Sequence, residues 1–174
     1  MKNKRNVFKN HVNEVFIETG SYTGDGIFAA LECGFSKIIS IEISPKYYSS
    51  CSQTFKNNKN VQIILGDSYK VLPDILKSIN CKSTFWLDGH YSCGDTGIGD
   101  FWSPLIQELD VIKNHQIKNH TIIIDDMRCW EKPNETHGFF KDDIFKKLYE
   151  INAQYKLTYE DGSAPNDILV AYEI

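Results

Sequence analysis

Asp88 and His90 lie in FWLDGHYS, and Asp125 and Asp126 lie in IIIDDM. Each segment opens on an apolar run of the kind that forms a strand covered on both faces, so the acids fall at strand ends. If both strands belong to one parallel sheet, Asp88, Asp125 and Asp126 converge on one side of it. Carboxylates held close together repel unless a cation sits between them. Oxygen donors of this kind suit a hard divalent ion, Mg2+ first, with Mn2+ or Ca2+ as alternatives. Such an ion lowers the pKa of a bound hydroxyl and fixes its angle of attack. A base must then take the proton. His90 is the candidate, since an ordinary imidazole titrates near pH ~6.5; Asp88 is the alternative. Solvated strand ends and a plain Asp126–Arg128 ion pair are the structural explanation of the same residues.

A second group of residues could hold a ligand. VFIETGSYTGDG, residues 15–26, turns sharply after an apolar run, and Gly20 and Gly24 let a backbone approach a ligand closely. The spacing is neither that of a lysine-containing phosphate loop nor GxGxxG. Glu42 closes the next apolar run, about 20 residues on, where a carboxylate can accept hydrogen bonds from both hydroxyls of a ribose. The third run ends in Gly66-Asp67-Ser68, where Asp67 or Ser68 could pair with an adenine amino group. A close-approach turn, a ribose acceptor and an adenine partner on successive strand ends suit an adenosine ligand without a pyrophosphate.

The elements that must position these groups are legible from periodicity. Short runs rich in Ile, Val and aromatics span Val15–Thr19, Lys37–Ile43, Val61–Leu65, Thr84–Leu87 and Thr121–Ile124. Helical segments are expected over Asp25–Cys33, Pro45–Lys56, Ser68–Ser78, Ser103–Asn114 and Phe139–Ile151, with Ser44 as an N-cap before Pro45. Lys156–Glu160 and Ile168–Ile174 are strands joined by a loop too short for a helical crossover, so they form an antiparallel hairpin. The fold class is α/β: a doubly wound, seven-stranded, mostly parallel sheet ending in that hairpin.

The chain has 174 residues, which suits one domain, residues 1–174, behind a polar, solvated tail over residues 1–12. A net charge of −4 argues against a nucleic-acid partner, since phosphate binding needs a basic face. Five widely spaced cysteines without a CxxC pair argue against a disulfide framework or zinc site and for a reducing, cytoplasmic setting. No apolar run approaches the roughly 20 residues needed to span a bilayer, and the first residues lack the core of a signal peptide.

The order βαβαβαβαβαββ with ETGSYTGDG after the first strand resembles the class I S-adenosylmethionine-dependent methyltransferases, over roughly Val15 to Ile174. Within them it is similar to the metal-dependent O-methyltransferases of the catechol and macrocin types. The resemblance implies that Glu18, Gly20, Ser21 and Tyr22 line the methionine end of S-adenosylmethionine. Glu42 would hold the ribose, Ile43 would pack on the adenine, and Asp67 with Ser68 would face its edge. Asp88, Asp125 and Asp126 would hold Mg2+, with Asp88 also beside the cofactor. Two departures matter. The acidic pair is Asp-Asp, where the catechol type has Asp-Asn, and the lysine that follows the fourth-strand Asp in that type is replaced here by Gly89-His90-Tyr91-Ser92.

LDGHY is not the Asn/Asp-Pro-Pro-aromatic turn of amino-methylating enzymes, and the extra N-terminal strand domain of aminopropyl transferases is not seen. With about a dozen residues before the first strand, the pocket is expected to be open or completed by a homodimer partner. That suits a small-molecule or glycan hydroxyl acceptor, such as a sugar. A non-enzymatic cofactor-binding partner subunit is the competing expectation. In the loop CGDTGIGDFW, Asp95 and Asp100 belong to a lid or substrate contact, and Trp102 and Trp130 either wall a pocket or pack the core.

Overall fold

The structure is a computed structural model that describes residues 2–131 and 138–174, with side chains described from residue 4. Strands β1 (Val15–Thr19), β2 (Lys37–Glu42), β3 (Val61–Leu65), β4 (Ser83–Leu87), β5 (Thr121–Ile124), β6 (Lys156–Glu160) and β7 (Ile168–Tyr172) form one sheet in the order β3-β2-β1-β4-β5-β7-β6. The first five run parallel, and β7 enters antiparallel between β5 and β6. The expected seven-stranded sheet and its hairpin are therefore present.

Helices α1 (Lys2–Phe8), α2 (Asp25–Cys33), α3 (Pro45–Phe55), α4 (Ser68–Leu76), α5 (Leu105–Asn114) and α6 (Lys141–Ile151) cover the sheet. The alternation of strand side chains sorts them into two cores. Val15, Ile17, Phe85, Leu87, Ile122 and Ile124 pack with α4, α5 and α6. Phe16, Trp86, Ile123 and Val170 pack on the other face with α1, α2 and α3. Both faces are buried, which is why the strands carry apolar residues without alternation.

Several boundaries move for identifiable reasons. Helix α5 starts at Leu105, not Ser103, because Pro104 disfavours helical geometry in the residue before it. Helix α6 starts at Lys141, not Phe139: Phe140 is extended, and its N–H donates to the Asp143 carboxylate at 2.9 Å. Ser44 occupies the N-cap position of α3 but makes no capping bond, and its hydroxyl donates to the Asp95 carbonyl at 3.2 Å.

The N-terminal segment is not a solvated tail. Residues 2–8 form α1, and Val7 and Phe8 are 2% and 0% exposed; Met1 lies outside the described residues. A seven-residue helix is unstable alone, so its anchor is tertiary. Phe8 packs on Phe16 and edge-on to Trp86, with ring centroids 4.9 and 5.0 Å apart. Burying a side chain such as Phe8 is worth about 1.5–3 kcal/mol.

A buried imidazole pair ties β4 to the end of α5. Ser83 N–H donates to His120 Nδ1 at 3.1 Å, so His120 Nε2–H must donate to His115 Nδ1, at 2.9 Å, and His115 Nε2–H to the Ile79 carbonyl, at 3.0 Å. In this chain of bonds each ring accepts through one nitrogen and donates through the other. Burial, with His115 and nearby lysines adding to it, lowers the His120 pKa from 6.5 to about 4. The unfolded chain takes up this proton first as the pH falls. The stability that the neutral His120 ring contributes is therefore fully present above pH 6.5 and is lost as the pH drops through about 4. The buried carboxyls titrate alike in both proteins, so urea denaturation is expected to show the wild type losing on the order of 3 kcal/mol relative to His120→Phe over this window; an identical pH dependence in that variant would contradict the assignment.

Candidate active site

The sheet order reverses between β1 and β4, the place where open α/β sheets bind ligands beyond the carboxyl ends of their strands. A cavity of about 560 Å³ opens there. Gly20 lies at this point with φ 87°, and a Cβ on it would stand 2.7 Å from the Asp88 carbonyl oxygen. Only glycine lets the ends of β1 and β4 meet this closely.

The residues expected to hold an adenosine ligand divide into those that reach the cavity and those beneath it. Gly20, Tyr22, Glu42, Ile43, Asp67 and Ser68 line it. Glu42 is nearly buried, and its two carboxylate oxygens each accept a backbone N–H, Oε2 from Tyr22 and Oε1 from Ser44, both at 2.8 Å. Glu18 and Ser21 are not among the lining residues. The Ser40 hydroxyl donates to Glu18 Oε2 at 2.5 Å and lies 2.6 Å from the Ser21 hydroxyl, so both residues brace β1 against β2. Burial pushes the Glu18 carboxyl up to about 8, opposed by Lys4 and the Ser40 hydroxyl. Gly24 faces the Phe55 ring, so its missing side chain serves packing against α3 and not ligand approach.

Gly26 is a glycine for lack of space. A Cβ there would overlap Glu18 Oε1, and the enclosed Glu18 carboxyl has nowhere to turn. Gly26→Ala is therefore expected to destabilise the fold by about 1–3 kcal/mol, outweighing alanine's better helix propensity. Urea denaturation checks this; equal or higher stability would contradict it.

The far end of the cavity is acidic. Asp88, His90, Asp125 and Asp126 all line it, so the topology does bring both strand ends together. His90 lies between the two segments, with Nδ1 3.9 Å from Asp88 Oδ1 and Nε2 3.4 Å from Asp126 Oδ2. Its ring stacks on Trp102 at 5.4 Å. Asp126 takes a left-handed backbone, φ 58°, and its N–H donates to Asp125 Oδ1 at 2.9 Å. Burial, with Asp88 and Asp126 next, pushes the Asp125 carboxyl up to about 7.

Asp88, Asp125 and Asp126 are not gathered as one compact donor set. Among the described residues, two sets of three donors have their atoms within 4.8 Å of one another and could hold an ion, Asp125 with Asp126 and Asp167, and His90 with Asp126 and Cys129; Asp88 belongs to neither. Asp167 and Asp126 are already paired with the Arg128 guanidinium. Asp88 pairs with the Lys4 ammonium at 3.0 Å, and the same ammonium is 3.9 Å from Asp125.

The loop between β4 and α5 roofs the end of the cavity lined by Ile43 and Asp67. Gly97 lies against Ile43, where a Cβ would come 2.5 Å from Cγ2, and Gly99 lies against the Asp67 carboxylate. Asp95 joins Lys46 and Tyr47 of α3, and Asp100 joins Tyr69 and Lys70 of α4. The two loop acids thus fasten the roof. Trp102 lines the cavity, whereas Trp130 is 2% exposed and packs in the core.

Lys4 lines the cavity and Glu108 lies behind it, against Gly89, and the sequence singles out neither as a site residue. Lys4 was assigned to the tail, although Val7 and Phe8 beside it marked an apolar anchor. Glu108 is 1% exposed and falls on the apolar stripe of α5 with Leu105, Leu109 and Ile112; a charge on that face was the signal. It receives the Ser68 hydroxyl, and burial pushes its carboxyl up to about 7.

No protein-family model and no curated protein matches the chain. Solved structures do. A candidate methyltransferase of Streptococcus mutans, in complex with SAH, superposes with a TM-score of 0.65 at 14% identity, over 99% of this chain and 97% of that one. A candidate rRNA-methylase from Clostridium thermocellum gives 0.64 at 14%, over 99% and 96%. The O-methyltransferase TomG from Streptomyces achromogenes, involved in tomaymycin synthesis and in complex with SAM, gives 0.63 at 8%, over 98% and 77%. From end to end, this chain has the Rossmann-like α/β fold that these methyltransferases share.

Proposed function

We propose that the chain binds S-adenosylmethionine in this cavity and transfers its methyl group to a hydroxyl of a sugar or other small molecule. The observation that carries the reading is one of order. Gly20 at β1, Glu42 at β2 and Asp67 at β3 line one cavity in sequence, and Asp88 and His90 at β4 line its other end. The volume falls in the range of small-molecule sites, about 300–1,000 Å³. Glu42 has its oxygens oriented in advance by two N–H donors, with lone pairs left for the ribose hydroxyls.

When bound, S-adenosylmethionine supplies an electrophilic methyl group on a sulfonium. His90 would take the proton of the attacking hydroxyl, the bound cofactor supplying the methyl group and its sulfur keeping the carbon–sulfur electron pair. Asp88 and Asp126 flank the imidazole and stabilise the charge it acquires. The polar lining at this end, with Ser92, Arg128 and Ser163, supports a polyhydroxylated acceptor. An acidic catalytic end speaks against a phosphate-rich acceptor such as RNA. The five cysteines are free, which supports the cytoplasmic reading. Among the described residues, no helix is long and apolar enough to cross a membrane.

Calorimetric titration with S-adenosylmethionine, followed by mass-spectrometric detection of S-adenosylhomocysteine with a panel of sugars, glycosides and phenols, tests the reading. Failure to bind the cofactor defeats it. Binding without product from any acceptor favours a cofactor-binding partner subunit.

A further inference from the structure

We propose that Lys4, delivered by α1, is the resident cation of the acidic end: its ammonium takes the place between Asp88 and Asp125 where a divalent ion would sit, and the site works without one. Lys4 Nζ lies 3.0 Å from Asp88 Oδ2 and 3.9 Å from Asp125 Oδ2. It also lies 4.6 Å from the centroid of the Trp86 ring, a cation–π contact that fixes the approach of its stem. The side chain is only 25% exposed, and one turn further on Val7 and Phe8 hold α1 in the core. The ammonium is thus placed by a packed element and not by a free tail.

The rest of the cluster is closed in the same way. Arg128 pairs with both Asp126 and Asp167, and His90 faces the outer oxygens of Asp88 and Asp126. A divalent ion would have to expel Lys4 from a partly desolvated pair and leave the ammonium near Trp86 without its counter-charge. Lys4 holds Oδ2 of Asp88, while the other oxygen, Oδ1, faces His90. It is therefore a positioning residue: it orients the carboxylate that steadies the base.

Mn2+ titration followed by electron paramagnetic resonance tests this without cofactor or acceptor, so its outcome is separate from that of the methyl-transfer reading. The wild-type protein is expected to leave Mn2+ free up to about 1 mM, the weak end of oxygen-donor sites. Lys4→Met keeps the apolar stem and removes the charge; it is expected to bind Mn2+ at least about tenfold more tightly, near 0.1 mM or below. Asp125→Asn in that background should abolish the gained binding, and Lys4→Arg should exclude the ion as the wild type does. Mn2+ binding by the wild-type protein overturns the proposal, and that titration stands whatever the variants do. A folded Lys4→Met protein that still binds no Mn2+ overturns it equally, because Lys4 would then not be the group that fills the place.

Discussion

His90→Ala is expected to lower kcat by about 10²- to 10⁴-fold while the dissociation constant for S-adenosylmethionine stays within about twofold. The imidazole is the candidate proton acceptor at this end: Nε2 faces the Ser92 hydroxyl at 3.3 Å and Asp126 at 3.4 Å, Nδ1 stands 3.9 Å from Asp88, beyond hydrogen-bond reach, and the ring face lies on Trp102. Removing it deletes the proton acceptor and leaves the cofactor end untouched, since Glu42 and Asp67 lie on other strands. Steady-state product formation and calorimetry on the same preparation separate the two effects. If kcat falls less than about tenfold, and Asp88→Asn is the variant that loses turnover, then Asp88 is the base and His90 only packs beside it.

The second large effect belongs to Glu42. Glu42→Ala is expected to weaken S-adenosylmethionine binding by about 10- to 100-fold, since a hydrogen bond to a charged group is worth about 1.5–3 kcal/mol. The loss has two sources. The ribose hydroxyls lose their acceptor, and the N–H groups of Tyr22 and Ser44 lose theirs, so the glycine turn and the start of α3 loosen together. Glu42→Gln is no rescue. One amide oxygen can satisfy only one of the two N–H donors, and the amide NH2 would face the other. Turnover at saturating cofactor should change little in either variant, because the acceptor end is intact. An unchanged dissociation constant would mean that the ribose lies elsewhere.

The sequence by itself determined the layers and the side of the sheet on which the cavity opens. Nearly continuous apolar runs such as TIII and KIISIE require cover on both sides, and the short loop 161–167 allows only a hairpin between the last two strands. Strand ends of a parallel sheet share a side, so Gly20, Glu42, Asp67 and Asp88 had to fall on one edge of it, and the strand order β3-β2-β1-β4 brings them around one cavity. These are local or period-based facts, and the chain states them directly. Only the tertiary structure decided the direction of side chains within that face. Glu18, within β1, and Ser21, on the turn, lie close along the chain to Tyr22, yet Ser40 on the neighbouring strand draws them beneath the cavity. Gly24 and Gly26 serve Phe55 and Glu18, partners that spacing along the chain does not reveal. The charge balance of the acidic end was likewise set at a distance: Lys4 is 84 residues from Asp88, and Arg128 is 39 from Asp167. Carboxylates are visible in a sequence one by one, but what neutralises them depends on which helix packs against which sheet face. Here the burial of Val7 and Phe8 carries a lysine into the place where the strand ends alone called for a metal.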